Sequence, residues 1–144
     1  PLTWPSGGGG LVSTAEDYVR FALMLAQEGQ LDGTRVLRAA SVRALRSDQL
    51  TDDQRPTRGD GGFFFESGYG YGVGVAIEDF PERNARVGVV PGDYGWAGVF
   101  DTTFQVSPAT GLVGVFLTQV VPGPHLPRRN EGVFVEHLHR VVAE

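Results

Sequence analysis

The sequence predicts an α+β domain, an antiparallel β-sheet meander flanked by helices. Three observations carry this expectation. Helical spacing marks both ends, with Ala15, Tyr18, Ala22 and Leu25 near the start and Phe134, Leu138, Val141 and Val142 near the finish. Between them, short strand-like runs are separated by turns such as Pro91-Gly92 and Pro108-Ala109-Thr110-Gly111. Leu112 to Gln119 carries apolar residues on both alternating faces, the pattern of a central strand covered on both sides. The chain divides into a helical part with a Gly-rich lead-in (1–49), a loop (50–68), antiparallel strands (69–121) and a C-terminal helix (130–143).

In chain order, Ser6 to Gly10 is a Ser-Gly run able to bring backbone close to another segment. A helix follows, for which Ser13 with Glu16 fits a capping box and Gly29 suits the stop. A shorter helix is expected from Ala39 to Ser47, with Val42 and Leu45 inward. Leu50 to Gly68 is polar, charged and glycine-rich, and reads as a long loop. From Gly68 to Ile77, glycines alternate with Tyr69, Tyr71, Val73 and Val75. A strand with that pattern carries a bare face, which suggests close approach by a helix or loop. Ala85 to Val90, Tyr94 to Phe100 and Thr103 to Ser107 read as further strands. Asn130 to Val142 suits a helix with Asn130 as its cap.

The 144 residues amount to one domain, large enough to bury roughly two-thirds of its unfolded surface. No apolar run approaches the length of a bilayer-spanning helix, so no membrane partner is expected. The net charge of −5 argues against nucleic acid as a partner. Cysteine is absent, which removes disulfides, thiolate nucleophiles and cysteine–zinc sites. All 12 basic residues are arginine. No Schiff base, Ser-Lys dyad or phosphate-loop lysine can therefore come from this chain. The chain begins at Pro1 with neither an initiator methionine nor a signal-like segment, which leaves the compartment open.

Several constellations resolve to ordinary roles. His137 and His139 point about 200° apart on a helix and cannot chelate one ion together. Together with His125, in a proline-rich stretch, they are expected to serve surface or helix-packing roles, and no metal or cofactor is expected. No G-x-S-x-G elbow and no G-x-G-x-x-G fingerprint occurs. Arg58-Gly59-Asp60 spells an adhesion tripeptide that arises readily by chance in a charged loop. Phe63-Phe64-Phe65 reads as a plug holding that loop down. The Tyr94–Phe100 run is different, because Ala97 and Gly98 keep its surface bare. A bare strand lets a substrate carbonyl reach backbone N–H groups, although spacing alone fits an edge strand with an aromatic stripe equally well.

Two blocks of the sequence are similar to the C-terminal part of the serine β-lactamase and penicillin-binding-protein family. One is SGGGGLVSTAEDYVRF (6–21), continuing into Gly29-Gln30-Leu31-Asp32-Gly33 and Val36-Leu37. The other is GYGYGVGVAI (68–77) followed by YGWAGVFDTTFQVSPATGLVGVFLTQ (94–119). The resemblance is nearest to the class C β-lactamase-related branch that includes the family VIII carboxylesterases. It implies the C-terminal portion of a β-lactamase/transpeptidase-like fold. In that family the nucleophile is the serine of a Ser-x-x-Lys helix, helped by the lysine and by a Tyr-x-Asn tyrosine. Neither motif occurs here. The third family element is a strand reading Lys-Thr-Gly in many members and Trp-x-Gly or His-x-Gly in the esterase-like branch. Here it is Trp96-Ala97-Gly98.

Carried over residue by residue, the resemblance assigns an oxyanion-holding backbone N–H to Val99. It assigns substrate contact to Tyr94, Trp96, Ala97 and Gly98. Tryptophan cannot make the charge-assisted contact to a substrate carboxylate that the family lysine makes. The implied substrate is therefore a small neutral ester, or an amide, of a longer parent protein. The alternatives are a β-lactamase or D-Ala-D-Ala peptidase parent, or a non-catalytic binding module of the same fold. The implied partners are the N-terminal half of the same protein or a second copy, through the open edge of Leu112–Gln119.

Overall fold

A computed structural model describes residues 6, 10–51, 54, 69–72, 76–78, 90–121 and 130–143, with the side chains of 69–71, 76–78, 130–132, 142 and 143 left aside. The Arg58-Gly59-Asp60 tripeptide, Phe63-Phe64-Phe65, His125, the expected strand at 85–90 (save Val90) and most of the 50–68 loop lie outside these residues.

Helix α1 (Ala15–Ala26) opens one residue later than the capping box implied. Its cap is Thr14, whose hydroxyl accepts from the Asp17 N–H at 3.1 Å. After α1 the chain makes a short hairpin, β1 (Gln30–Leu31) with β2 (Thr34–Arg35). Asp32 and Gly33 both take positive φ, 50° and 77°, which matches the right-handed twist of the flanking strands. Helix α2 (Ala39–Leu45) is two residues shorter than the Ala39–Ser47 expected and buries Val42.

The main sheet has five antiparallel strands in sequence order: β3 (Tyr69–Tyr71), β4 (Ala76–Glu78), β5 (Tyr94–Ala97), β6 (Thr103–Ser107) and β7 (Leu112–Phe116). The single strand expected over 68–77 is instead β3 and β4, paired Tyr69 to Glu78 and Tyr71 to Ala76. The inference of close approach holds at Gly72. A Cβ there would run into the Leu45 carbonyl oxygen and lie 2.7 Å from its carbon. Since α2 ends at Leu45, the bare position lets the sheet meet the end of that helix.

Register assigns the two faces. Tyr94, Trp96, Phe104, Val106, Val113 and Val115 share one face, against which α1 packs. Tyr18 and Phe21 of α1 meet the Phe104 ring at 5.4 and 6.0 Å. The opposite face is covered by the C-terminal helix α3 (Asn130–Ala143), with Phe116 stacked on Phe134 at 5.3 Å. Strand β7 is thus covered on both faces, as its sequence predicts. It is nonetheless the end strand, paired only with β6 among the described residues. The inward residues of α3 are Phe134, Val135, Leu138 and His139. Val141 was expected inward but is 76% exposed, because it lies one turn after His137 and two after Val133, on the exposed side of the helix.

Gly114 fits α3 tightly, since a Cβ there would press on Leu138 and lie 2.9 Å from the Phe134 Cζ. Gly114→Ala is expected to destabilise the chain by about 1–3 kcal/mol, the usual result of overpacking. Urea unfolding measures this, and an unchanged midpoint would mean that α3 is not seated on Gly114.

Candidate functional site

The site expected at Tyr94–Val99 lies where β5 ends. The strand stops at Ala97 rather than running to Phe100. The reason is a turn in which the Gly98 N–H donates to the Thr102 carbonyl at 2.7 Å and the Asp101 N–H donates to the Gly98 carbonyl at 3.2 Å. Asp101 takes a φ of 59°, a left-handed value that Asp tolerates better than most residues. A Cβ on Gly98 would collide with the Thr102 hydroxyl, so a larger residue there would force that side chain to turn away. The turn is braced from the far side. Thr118 Oγ1 donates to the Phe100 carbonyl at 2.5 Å, and the Val120 N–H reaches the same oxygen at 3.3 Å.

Within the turn the backbone donors are unequally used. The N–H groups of Gly98 and Asp101 are engaged. Val99, 64% exposed, makes no N–H hydrogen bond among the described residues. Among the described residues the turn therefore presents two successive backbone donors without an acceptor, the N–H groups of Val99 and Phe100, close in sequence to a half-buried tryptophan. Trp96 packs on the edge of the core cluster, and its carbonyl accepts from Thr103 Oγ1 at 3.2 Å. Ala97 is half-buried on the opposite face.

Tyr94 shares the face of Trp96 but lies deeper. It is 1% exposed and fills the core with Met24, Leu25 and Val42, so its side chain is closed off from solvent where that of Trp96 is half-buried. Burial pushes its hydroxyl up to about 12, an effect that Arg46 opposes and Glu28 reinforces. It stays protonated at neutral pH and is no general base. Glu28 is in turn held by Arg43 and Arg46 at 2.7 and 2.8 Å, which ties the end of α1 to α2 beneath the site.

A second polar group was not anticipated from the sequence. Asp93, Ser107 and His139 are all buried, and His139 Nε2 lies 3.2 Å from Asp93 Oδ2. That distance is within ion-pair reach, but the angle misses that of a hydrogen bond, which leaves Nε2 unpartnered. These are the residue types of a hydrolytic triad, yet the arrangement is wrong for one. A triad histidine gives Nδ1–H to the carboxylate and keeps Nε2 for the serine. Here Nε2 faces the carboxylate, and Ser107 is 1% exposed beneath α3. Ser107 is no nucleophile. The helix spacing of His139 signalled packing, but nothing local in the sequence signalled Asp93 as its partner.

Among the described residues, no three His, Cys, Asp or Glu side chains come close enough to hold a metal ion. No described helix is long and apolar enough to cross a membrane.

The Beta-lactamase family profile matches residues 1–137. Two curated relatives are 38% identical over 125 residues, namely "Uncharacterized protein MT1414" and "Protein Rv1367c", from two strains of Mycobacterium tuberculosis. The match takes in 85% of this chain and 31% of each relative, so the chain spans about a third of their length. A crystal structure of a penicillin-binding protein homolog from Caulobacter crescentus superposes with a TM-score of 0.64 over 90% of this chain and 32% of the other. At 20% identity that likeness shows the fold. With the profile covering nearly every residue and the α+β architecture matched in a solved structure, this chain belongs to the beta-lactamase family, whose fold is of the serine-hydrolase type.

Proposed function

We propose that this chain is the C-terminal part of a serine hydrolase of the beta-lactamase family, an esterase acting on neutral esters through an acyl-enzyme. The observation that supports this reading is the turn after β5, which spends the Gly98 and Asp101 N–H groups and leaves those of Val99 and Phe100 without an acceptor among the described residues, Val99 being the position that follows the family's Trp-x-Gly element. In the proposed reaction a serine outside these residues attacks the ester carbonyl. The Val99 N–H takes up part of the charge on the carbonyl oxygen as the tetrahedral intermediate forms. The alcohol leaves, and water then releases the acid. Trp96 lines the acyl or leaving-group side, Ala97 and Gly98 keep the approach clear, and Tyr94 supports Trp96 from the core.

Substrate class follows from charge. The Tyr94–Val99 wall carries no cation, so it offers no charge-assisted contact to the carboxylate of a β-lactam or a peptide stem. The full-length protein is expected to hydrolyse short nitrophenyl esters and to leave a chromogenic cephalosporin intact. The 144-residue chain alone is expected to show no saturable ester hydrolysis. Saturable turnover by the isolated chain would overturn the assignment of roles, and efficient cephalosporin cleavage would overturn the substrate class.

The end strand supports a partner proposal. Strand β7 presents an unpaired edge among the described residues, and Leu117 and Val121 beyond it are 48% and 61% exposed. The rest of the parent protein, or a second copy, would cover this edge. Light scattering that finds only monomer at high concentration would count against self-association.

A further inference from the structure

The polar face of β6 under α3 takes no part in the proposed reaction, and its donors and acceptors do not close on one another. Asp93 and Ser107 are the next residues out from the Tyr94–Val106 pair, so they lie on one face of the sheet, and Gln105 follows on that face of β6. Helix α3 lays His139 over Asp93. Asp93, Ser107, Gln105 and His139 are 0, 1, 4 and 7% exposed. Asp93 Oδ2 accepts the Val90 N–H at 3.0 Å. Asp93 Oδ1, Ser107 Oγ, Gln105 Nε2 and His139 Nε2 make no hydrogen bond among the described residues. Native interiors leave only a few such groups per hundred residues, and here three lie together on one sheet face with a fourth, His139 of α3, above Asp93.

We propose that this row is an internal hydration site, one or two ordered water molecules bridging Asp93, Ser107, Gln105 and His139 between the sheet and α3. The donor set selects water over an ion. The Gln105 amide group only donates through Nε2, which disfavours a cation, and the Asp93 carboxylate only accepts, which disfavours an anion. Water does both, and buried waters commonly make about three hydrogen bonds to groups of this kind. Ser107 and Gln105 stand roughly 6.6 Å apart along the strand, so a bridging molecule reaches both more readily than either reaches the other. The helix is then held at two places, by the Phe134–Phe116 stack and by this polar bridge.

A crystal structure of the chain at a resolution that shows ordered water tests the proposal. Density within about 2.7–3.2 Å of Asp93 Oδ1 and of either Ser107 Oγ or Gln105 Nε2 is expected. Direct bonding of Ser107 or Gln105 to Asp93, with no density between them, overturns it. A solution readout comes from water-to-protein cross-relaxation at the Gln105 side-chain amide. The cross-peak is expected in the parent chain and lost in Ser107→Val, whose methyl groups fill the space. A cross-peak absent from the parent chain, or persisting in folded Ser107→Val, overturns the site.

Discussion

Val99→Pro in the full-length protein is expected to lower kcat by about 10²–10³-fold, the range for losing one oxyanion-hole donor. The substitution removes the N–H and little else. Val99 is the second residue of the turn closed by the Asp101 N–H on the Gly98 carbonyl, a position whose backbone suits the fixed φ of proline. The residue before it is Gly98, which tolerates the restriction proline imposes. Stability should therefore stay close to that of the parent, while KM moves little, because the donor acts mainly on the charged transition state. Val99→Ala keeps the N–H and is expected to retain most of the activity. A folded Val99→Pro protein with unchanged kcat would mean that the oxyanion is held elsewhere.

His139→Leu is expected to destabilise the chain by about 1–3 kcal/mol, since it removes the polar side chain that lies 3.2 Å from the buried Asp93 carboxylate. Leucine fills a similar volume, so the loss is chiefly that of a polar neighbour for Asp93. Asp93 would keep only the Val90 N–H as a protein partner, at 0% exposure. The double variant Asp93→Asn/His139→Leu is expected to be more stable than His139→Leu alone, since a neutral amide needs no counter-charge. Urea denaturation of the four proteins measures the coupling. A loss below about 1 kcal/mol in His139→Leu would show that Asp93 does not depend on this histidine.

Much of the fold was legible because local chemistry and tertiary demand agree. The spacing of Tyr18, Ala22 and Leu25 marks α1, and the two-faced apolar run at Leu112–Phe116 marks a strand covered on both sides. Position in the sheet was not legible, because β7 is covered like a central strand yet lies at the end of the order. Burial and hydrogen-bonding neighbours are separate properties, and side-chain pattern reports only the first. The glycine alternation over 68–77 concealed a reversal, since the Gly-x repeat runs on past Tyr71 without a break and only the pairing of Tyr69–Tyr71 with Ala76–Glu78 separates the two strands.

The candidate site divides in the same way. Trp96-Ala97-Gly98 was visible as a glycine-bracketed aromatic, and a larger residue at 98 would force the Thr102 side chain to turn away. Where β5 would stop was not visible, because the Gly98–Thr102 hydrogen bond depends on Asp101 taking a left-handed φ. Tyr94 reads in sequence as part of the aromatic stripe, and alternation does put it on the face of Trp96. The C-terminal end of α1 and helix α2 close over the first and leave the second half open. Thr103, Gln105 and Ser107 form an alternating polar set that resembles a solvent-facing strand. Leu138 and Phe134 of α3 sit over Gly114, the register partner of Gln105, and no residue within β6 announces that cover.

In the proposed division of labour, residues 1–144 supply one wall and one backbone donor while the attacking serine lies outside them. Labelling the full-length protein with a fluorophosphonate, followed by peptide mapping, tests it directly. A single modified serine outside residues 1–144 is expected, lost when that serine is replaced and retained in Ser107→Ala. Modification of Ser107, or of any serine within these 144 residues, would contradict it.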